Sequence, residues 1–192
     1  KGRFEEAGGL ALTPAAGRIS LAESRTANTI SHDELLIDRF EARVSHEYKN
    51  DNNFNLTSTV WANNMSRESR RQNGSGFGVV STNNTNSIQD QDFYSVGGRV
   101  NLAQDYMLSE NNNTLTANVT YYKMTSPFEI GTGASADADT IATLNRQLTR
   151  DTNAVSLAVE NQFNLGSWAV TPAVRAETIK QGIDEKFNST PN

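Results

Sequence analysis

Apolar and polar residues alternate along six stretches of the chain. In the first stretch, Phe40, Ala42 and Val44 share one face of a strand. Glu41 and Arg43 share the opposite face, because a period of two residues is the spacing of a β-strand. The six stretches cover residues 34–49, 54–66, 92–106, 114–124, 154–163 and 168–179. The pattern predicts an all-β fold of about six long antiparallel strands.

The connections between the stretches alternate in length. Short polar turns are expected near residues 51, 111 and 165, and long connections are expected at 67–91 and 125–152. Short turns on one rim and long loops on the other are typical of up-and-down transmembrane β-barrels. Strands of about 11 residues also exceed the ~5–6 residues that are usual in globular sheets. We therefore interpret the chain as part of one transmembrane barrel domain.

The predicted strands are too few to close a barrel by themselves. A bacterial barrel needs about eight strands, so residues 1–192 are expected to be a segment of a larger one. Residues 1–33 show little alternation and are expected to lie mostly in an outer loop. The sequence begins without an apolar leader segment and stops in the polar run Asn188–Asn192, so both ends are expected to be cut.

The polar faces of the strands carry charges of both signs, which is unsuitable for a dry core. Such faces suit a water-filled lumen or an exposed sheet face. The lumen-facing candidates are Arg39, Glu41, Arg43, Glu47, Arg99, Arg175 and Glu177.

A soluble or secreted β-rich module that binds carbohydrate or another ligand is the alternative interpretation. In such a module the apolar faces would pair between two sheets. A barrel would instead present one continuous apolar band on its outside, with aromatic residues at the rims. Tyr48, Phe54 and Trp168 flank the predicted short turns and suit such a rim.

Composition excludes several classes of function. The net charge of −5 gives no nucleic-acid footprint, so no nucleic-acid partner is expected. The absence of cysteine excludes disulfides and thiolate metal sites. No apolar run approaches the ~18–20 residues of a membrane-spanning helix. Since no nucleophile–base arrangement, phosphate-binding loop or metal-ligand spacing is present, the sequence predicts no catalytic residues, no metal, no cofactor and no enzyme.

The run Val159–Glu177, VENQFNLGSWAVTPAVRAE, is similar to the barrel hairpin of TonB-dependent outer-membrane receptors. One departure is Ala173, which stands where that family usually has Gly. Earlier features occur in an order that resembles the ferric-dicitrate branch of the family. They are the segment Gly9–Thr13, the strand start Asp38–Phe40 and the arginines after the second strand.

The resemblance implies a barrel of about 22 strands in the outer membrane of a Gram-negative cell. It also implies active transport of a ferric chelate, ferric citrate or siderophore-like, driven by TonB. The TonB complex would act through a plug domain that is not present in this chain. The lipid bilayer and lipopolysaccharide are the other implied partners, and the lumen-facing charges would pair with the plug or with neighbouring strands.

Arginines near the predicted long connections are the candidate substrate-binding residues. Guanidinium groups pair well with carboxylates, so they could attract an anionic chelate. Contact with lipopolysaccharide phosphates, or simple solvation of the rim, is the alternative role. The candidates are Arg67, Arg70, Arg71, Arg146 and Arg150.

Overall fold

The computed structural model describes residues 2–4, 16–19 and 29–189, and these form an antiparallel β-sheet. The strands are β1 (Gly2–Phe4), β2 (Glu34–Lys49), β3 (Phe54–Gln72), β4 (Asn86–Leu108), β5 (Asn111–Gly133), β6 (Ile141–Leu165), β7 (Trp168–Val170) and β8 (Ala173–Asn188). The expected all-β antiparallel fold is confirmed. In the described part of the chain, no helix is long and apolar enough to cross a membrane.

From β1 to β7 each strand pairs with the next strand along the chain, and β8 also pairs with β6. β7 and β8 keep one register against β6, since Val170 faces Phe163 and Ala173 faces Glu160. The break between them contains Pro172, which has no backbone N–H to donate. β7 and β8 are therefore one interrupted strand, and the sheet of the described residues does not close on itself.

The strands extend beyond the ranges expected from alternation. β3 continues to Gln72 and β4 starts at Asn86, so the long connection expected at 67–91 is reduced to 73–85. In the same way, β5 and β6 reduce the connection expected at 125–152 to residues 134–140. The extension of β3 is polar on both faces, and those of β4, β5 and β6 carry only scattered apolar residues such as Ile88, Phe128 and Leu148. Regular alternation is therefore lost although the backbone ladder continues.

Part of the sequence interpretation falls outside the described residues. Most of the outer loop expected at 1–33 lies outside the described residues, including the segment Gly9–Thr13. Within that region, Gly2–Phe4 forms the short strand β1 and pairs with residues 35–37 of β2.

The strand register brings the apolar positions of neighbouring strands side by side. Val44 faces Val60 across β2 and β3, and Val119 faces Leu157 across β5 and β6. We call this surface the apolar face and the opposite surface, which carries Arg43, the polar face. The apolar face is continuous from β2 to β6, and Val174 and Ala176 of β8 extend it beside Val159 and Leu157.

The apolar face is uncovered. Val44 is 68% exposed, Val60 58%, Val119 47% and Leu157 46%. Ile88, Ala136 and Leu148 are the buried apolar residues of the described part of the chain. No second sheet packs on the apolar face there, which is the opposite of what a soluble two-sheet module requires.

Candidate functional site

The polar face carries the lumen-facing candidates as a ladder of ion pairs. Arg39 contacts Glu41 at 2.5 Å and donates to Asn63 Oδ1 at 3.1 Å. Arg175 contacts Glu177 at 3.2 Å, and each pair joins residues two apart on one strand face. Arg43 also contacts Glu41, at 3.6 Å, and Glu47 contacts Lys49 at 2.8 Å. Because these side chains are well exposed, the pairs contribute charge balance more than stability.

Arg99 differs from its neighbours on the polar face. Its Nε donates to Thr120 Oγ1 at 3.2 Å, and no carboxylate of the described residues pairs with it. Arg99 and Arg175 lie on the two sides of a cavity of about 200 Å³. The other lining residues are Asn118, Thr120, Tyr122, Ala154, Ser156, Ala158 and Glu177. The small side chains of β6 lie between longer side chains of β5 and β8, and this difference in length leaves the polar recess.

The three arginines expected in an outer loop lie instead inside β3, on two different faces. Arg67 and Arg71 are four residues apart and share the polar face. Arg70 lies on the other face, where its Nη1 contacts Glu34 at 3.1 Å and its Nε contacts Glu68 at 2.5 Å. The structure therefore places two of the three arginines on the polar face and the third on the opposite face.

A cavity of about 90 Å³ lies at the same end of β3. Its lining includes Asp33 and Glu34 as well as the arginines of β3. Small-molecule sites are typically about 300–1,000 Å³, so this cavity alone is too small for a metal chelate. A chelate would have to contact the open polar face.

Arg146 and Arg150 lie within β6, also on the polar face. Arg146 pairs with Glu185 of β8 at 2.5 Å, so its charge is balanced within the sheet. The guanidinium carbon of Arg150 lies 5.1 Å from the centroid of the Phe128 ring, which is a cation–π contact. Phe128 was not a candidate from the sequence, although its position places it on the polar face.

No metal centre is present in the described ranges, where no three His, Asp or Glu side chains are grouped to hold an ion. The acidic residue Asp137 in the connection between β5 and β6 has a local partner, since Ser135 Oγ donates to its Oδ1 at 2.6 Å. That hydrogen bond lowers the pKa of the Asp137 carboxyl below its ordinary value.

Comparison with known proteins finds a family to which the chain belongs and a solved structure with a similar fold. The family described as TonB dependent receptor-like, beta-barrel matches residues 4–192. No curated protein sequence matches the chain. Among solved structures, the chain is similar to the ferric citrate transporter FecA in the unliganded form, with a TM-score of 0.75 and 13% sequence identity. The likeness covers 86% of this chain and 24% of that one, so it spans about a quarter of the transporter's length and shows the fold alone.

Proposed function

The chain belongs to the TonB-dependent receptor β-barrel family, and from this premise we propose that it forms part of the wall of an outer-membrane transporter for a ferric chelate. The family is one of transporters and receptors located in the Gram-negative outer membrane, and it is not an enzyme family. The observation that carries the proposal is a sheet with one uncovered apolar face and one charged face, in register across six long strands.

The apolar face is proposed to contact the lipid bilayer. On β2 it runs from Phe40 to Tyr48, which is about 27 Å along a strand. With the usual tilt of about 35–45°, this approaches the ~25 Å apolar band of such barrels. Beyond Phe40 the same face becomes acidic, with Asp38 and Asp92. The opposite boundary has an aromatic rim, where the rings of Tyr48 and Phe54 are 6.4 Å apart.

The polar face is proposed to line the lumen. Its ion-pair ladder and the recess beside Arg99 would face a plug supplied by another part of the receptor, and the TonB complex would act through that plug. The long-loop ends of the strands would then face the outside of the cell. Lipopolysaccharide is the proposed contact of the acidic and basic side chains at that end of the apolar face.

Arg67 and Arg71 are proposed to contact the ferric chelate at the outer mouth. Both lie on the polar face near the long-loop end of β3. Guanidinium groups at such a mouth attract carboxylate and other anionic chelates. Arg70 is not included because it lies on the other face and contacts two carboxylates.

Iron uptake by cells that carry the full-length receptor tests this proposal. Replacing both Arg67 and Arg71 with Gln should lower uptake of radiolabelled ferric citrate at least about tenfold, because two positive charges that attract the anionic chelate to the mouth would be lost. Arg70→Gln is the matched control and should leave uptake nearly unchanged at equal receptor abundance. Equal losses in the two variants, or uptake that does not depend on TonB, would contradict the proposal.

A further inference from the structure

The connection between β5 and β6, residues 134–140, folds back onto the sheet. It follows Gly131 and Gly133, which are among the last three residues of β5 and lie on the same side of the sheet as Val119 and the rest of the apolar face. Ala136, in the middle of the connection, is only 8% exposed. Its side chain would be exposed if the connection projected into water, so the connection must pack against the rest of the protein.

The two glycines make room for this packing. An added Cβ at Gly133 would lie 2.6 Å from the Cβ of Ala138 and would collide with Oδ1 of Asn86. At Gly131, an added Cβ would collide with the side chain of Ile141, the first residue of β6. The connection and the start of β6 therefore lie directly over the glycines, where any larger residue would push them away.

Two irregularities in the pairing of β5 with β6 occur at the same place. The register shifts between Ile130 and Gly131, and it shifts again between Thr132 and Gly133. Bulges of this kind bend a strand and increase its local twist. They allow the start of β6 to lean over the glycines instead of continuing straight along the sheet.

Asn86 of β4 fixes the connection in this position. Its side chain is fully buried, and its Nδ2 donates to the backbone oxygen of Ala138 at 2.7 Å. Its Oδ1 accepts no hydrogen bond from the described residues, so the contact with Ala138 is what offsets the burial of the amide. Ile88 of β4, the cross-strand partner of Gly131, is fully buried on the same side of the sheet. A buried donor and a buried apolar side chain therefore attach the connection to the sheet.

We propose that residues 134–140 form a strap that Asn86 fastens to the side of the sheet opposite the polar face. A strap in this position does not cover the polar face, so it is a fixed part of the wall and not a lid over the lumen. That the polar face lines a lumen rests on the proposed function. The position of the strap depends only on the contacts of Asn86, Gly131 and Gly133.

Maleimide labelling of single cysteines in the purified full-length receptor, in detergent micelles, tests the inference. Ala136→Cys reports on the buried side of the strap and should react at least about tenfold more slowly than Asp139→Cys, which is exposed. Adding Asn86→Ala should raise the Ala136→Cys rate about three- to tenfold, because the hydrogen bond to Ala138 is lost. Gly133→Ala should also raise it, because its Cβ displaces the strap without removing a hydrogen-bonding group.

Asn83→Ala is the matched control, because Asn83 fastens the other long connection, where its Nδ2 donates to the backbone oxygen of Asn73 at 2.8 Å. It should leave the Ala136→Cys rate unchanged. Reaction of Ala136→Cys as fast as that of the exposed position would overturn the inference, and so would no increase with Asn86→Ala. An equal increase with Asn83→Ala would also overturn it, since both substitutions would then loosen the protein generally. None of these measurements uses a chelate, so the inference and the transporter proposal can fail separately.

Discussion

At the scale of single residues, the period of two decides what each side chain can touch. Arg70 and Arg71 are adjacent in the sequence but lie on opposite faces of β3. Arg70 contacts Glu34 and Glu68, whereas Arg71 shares the polar face with Arg67. A cluster of arginines in the sequence is therefore divided between the two faces of the strand, with Arg70 in an ion-pair group on one face and Arg67 and Arg71 on the polar face.

Gly97 shows how a single side chain can limit the packing of the polar face. Trp61 is its cross-strand partner, and the indole ring covers Gly97 so closely that an added Cβ would collide with the ring. The same Cβ would lie 2.9 Å from the backbone oxygen of Tyr121. Covering of a strand glycine by a cross-strand aromatic ring is a known way to stabilise a sheet.

Gly97→Ala should lower the free energy of unfolding by about 1–3 kcal/mol, because both the ring and the neighbouring backbone must move. The measurement is urea unfolding of the receptor in lipid vesicles. Gly182→Ala is the control, since an added Cβ there has nothing within 4 Å, and it should change the value by less than about 0.5 kcal/mol. Similar effects at the two glycines would show that the contact with Trp61 is unimportant.

At the scale of elements, tight turns hold neighbouring strands in register. Ser109 and Glu110 connect β4 to β5 and both have positive φ, 49° and 65°. Two positive values are typical of a type I′ turn, which favours Asn-Gly. The turn at Asn50 is stabilised differently, because Asn50 Oδ1 accepts from the backbone N–H groups of Asn52 at 3.0 Å and Phe54 at 3.1 Å.

Substitutions in the Ser109–Glu110 turn are expected to stabilise the protein. Replacing Ser109 with Asn and Glu110 with Gly should raise the free energy of unfolding by about 1 kcal/mol, since the left-handed conformation would no longer be strained. The midpoint of urea unfolding measures this. Glu110→Ala keeps the strain and should give no gain. An equal gain from the Ala variant would refute the explanation.

At the scale of the whole molecule, the two faces of the sheet need different environments. The apolar face is exposed and continuous, and the polar face carries ion pairs and the recess beside Arg99. A barrel wall between lipid and water satisfies both requirements at once. The family match over residues 4–192 and the fold of the ferric citrate transporter agree with this arrangement.

A lysine at the centre of the apolar face should be costly. Val119→Lys is expected to lower the free energy of unfolding in vesicles by about 2–4 kcal/mol, because the charge must enter the bilayer. Thr116→Lys is the control on the polar face of the same strand, where Glu160 is its cross-strand partner, and it should have little effect. Folding can be followed by the heat-dependent mobility of the receptor in gel electrophoresis. Equal effects of the two substitutions would mean that the apolar face does not contact lipid.

The sequence alone determined the fold class and which side chains share a face within each strand. Alternation is a local property, so Phe40 and Val44 could be assigned to one face from their spacing alone. The ends of the strands could not be assigned in this way. In the extension of β3 both faces are polar, and that of β4 has Ile88 as its one apolar residue, so the backbone ladder continues there without regular alternation.

Only the tertiary structure decided which residues of different strands lie together. Arg67 and Arg150 are separated by more than eighty residues, and their common position beside Phe93 and Phe128 depends on the register of four strands. Register arises from all cross-strand pairs together, and a shift of one residue would move each of these side chains to the other face. The sequence therefore specified the two faces of each strand, while the assembled sheet specified which residues of different strands lie side by side.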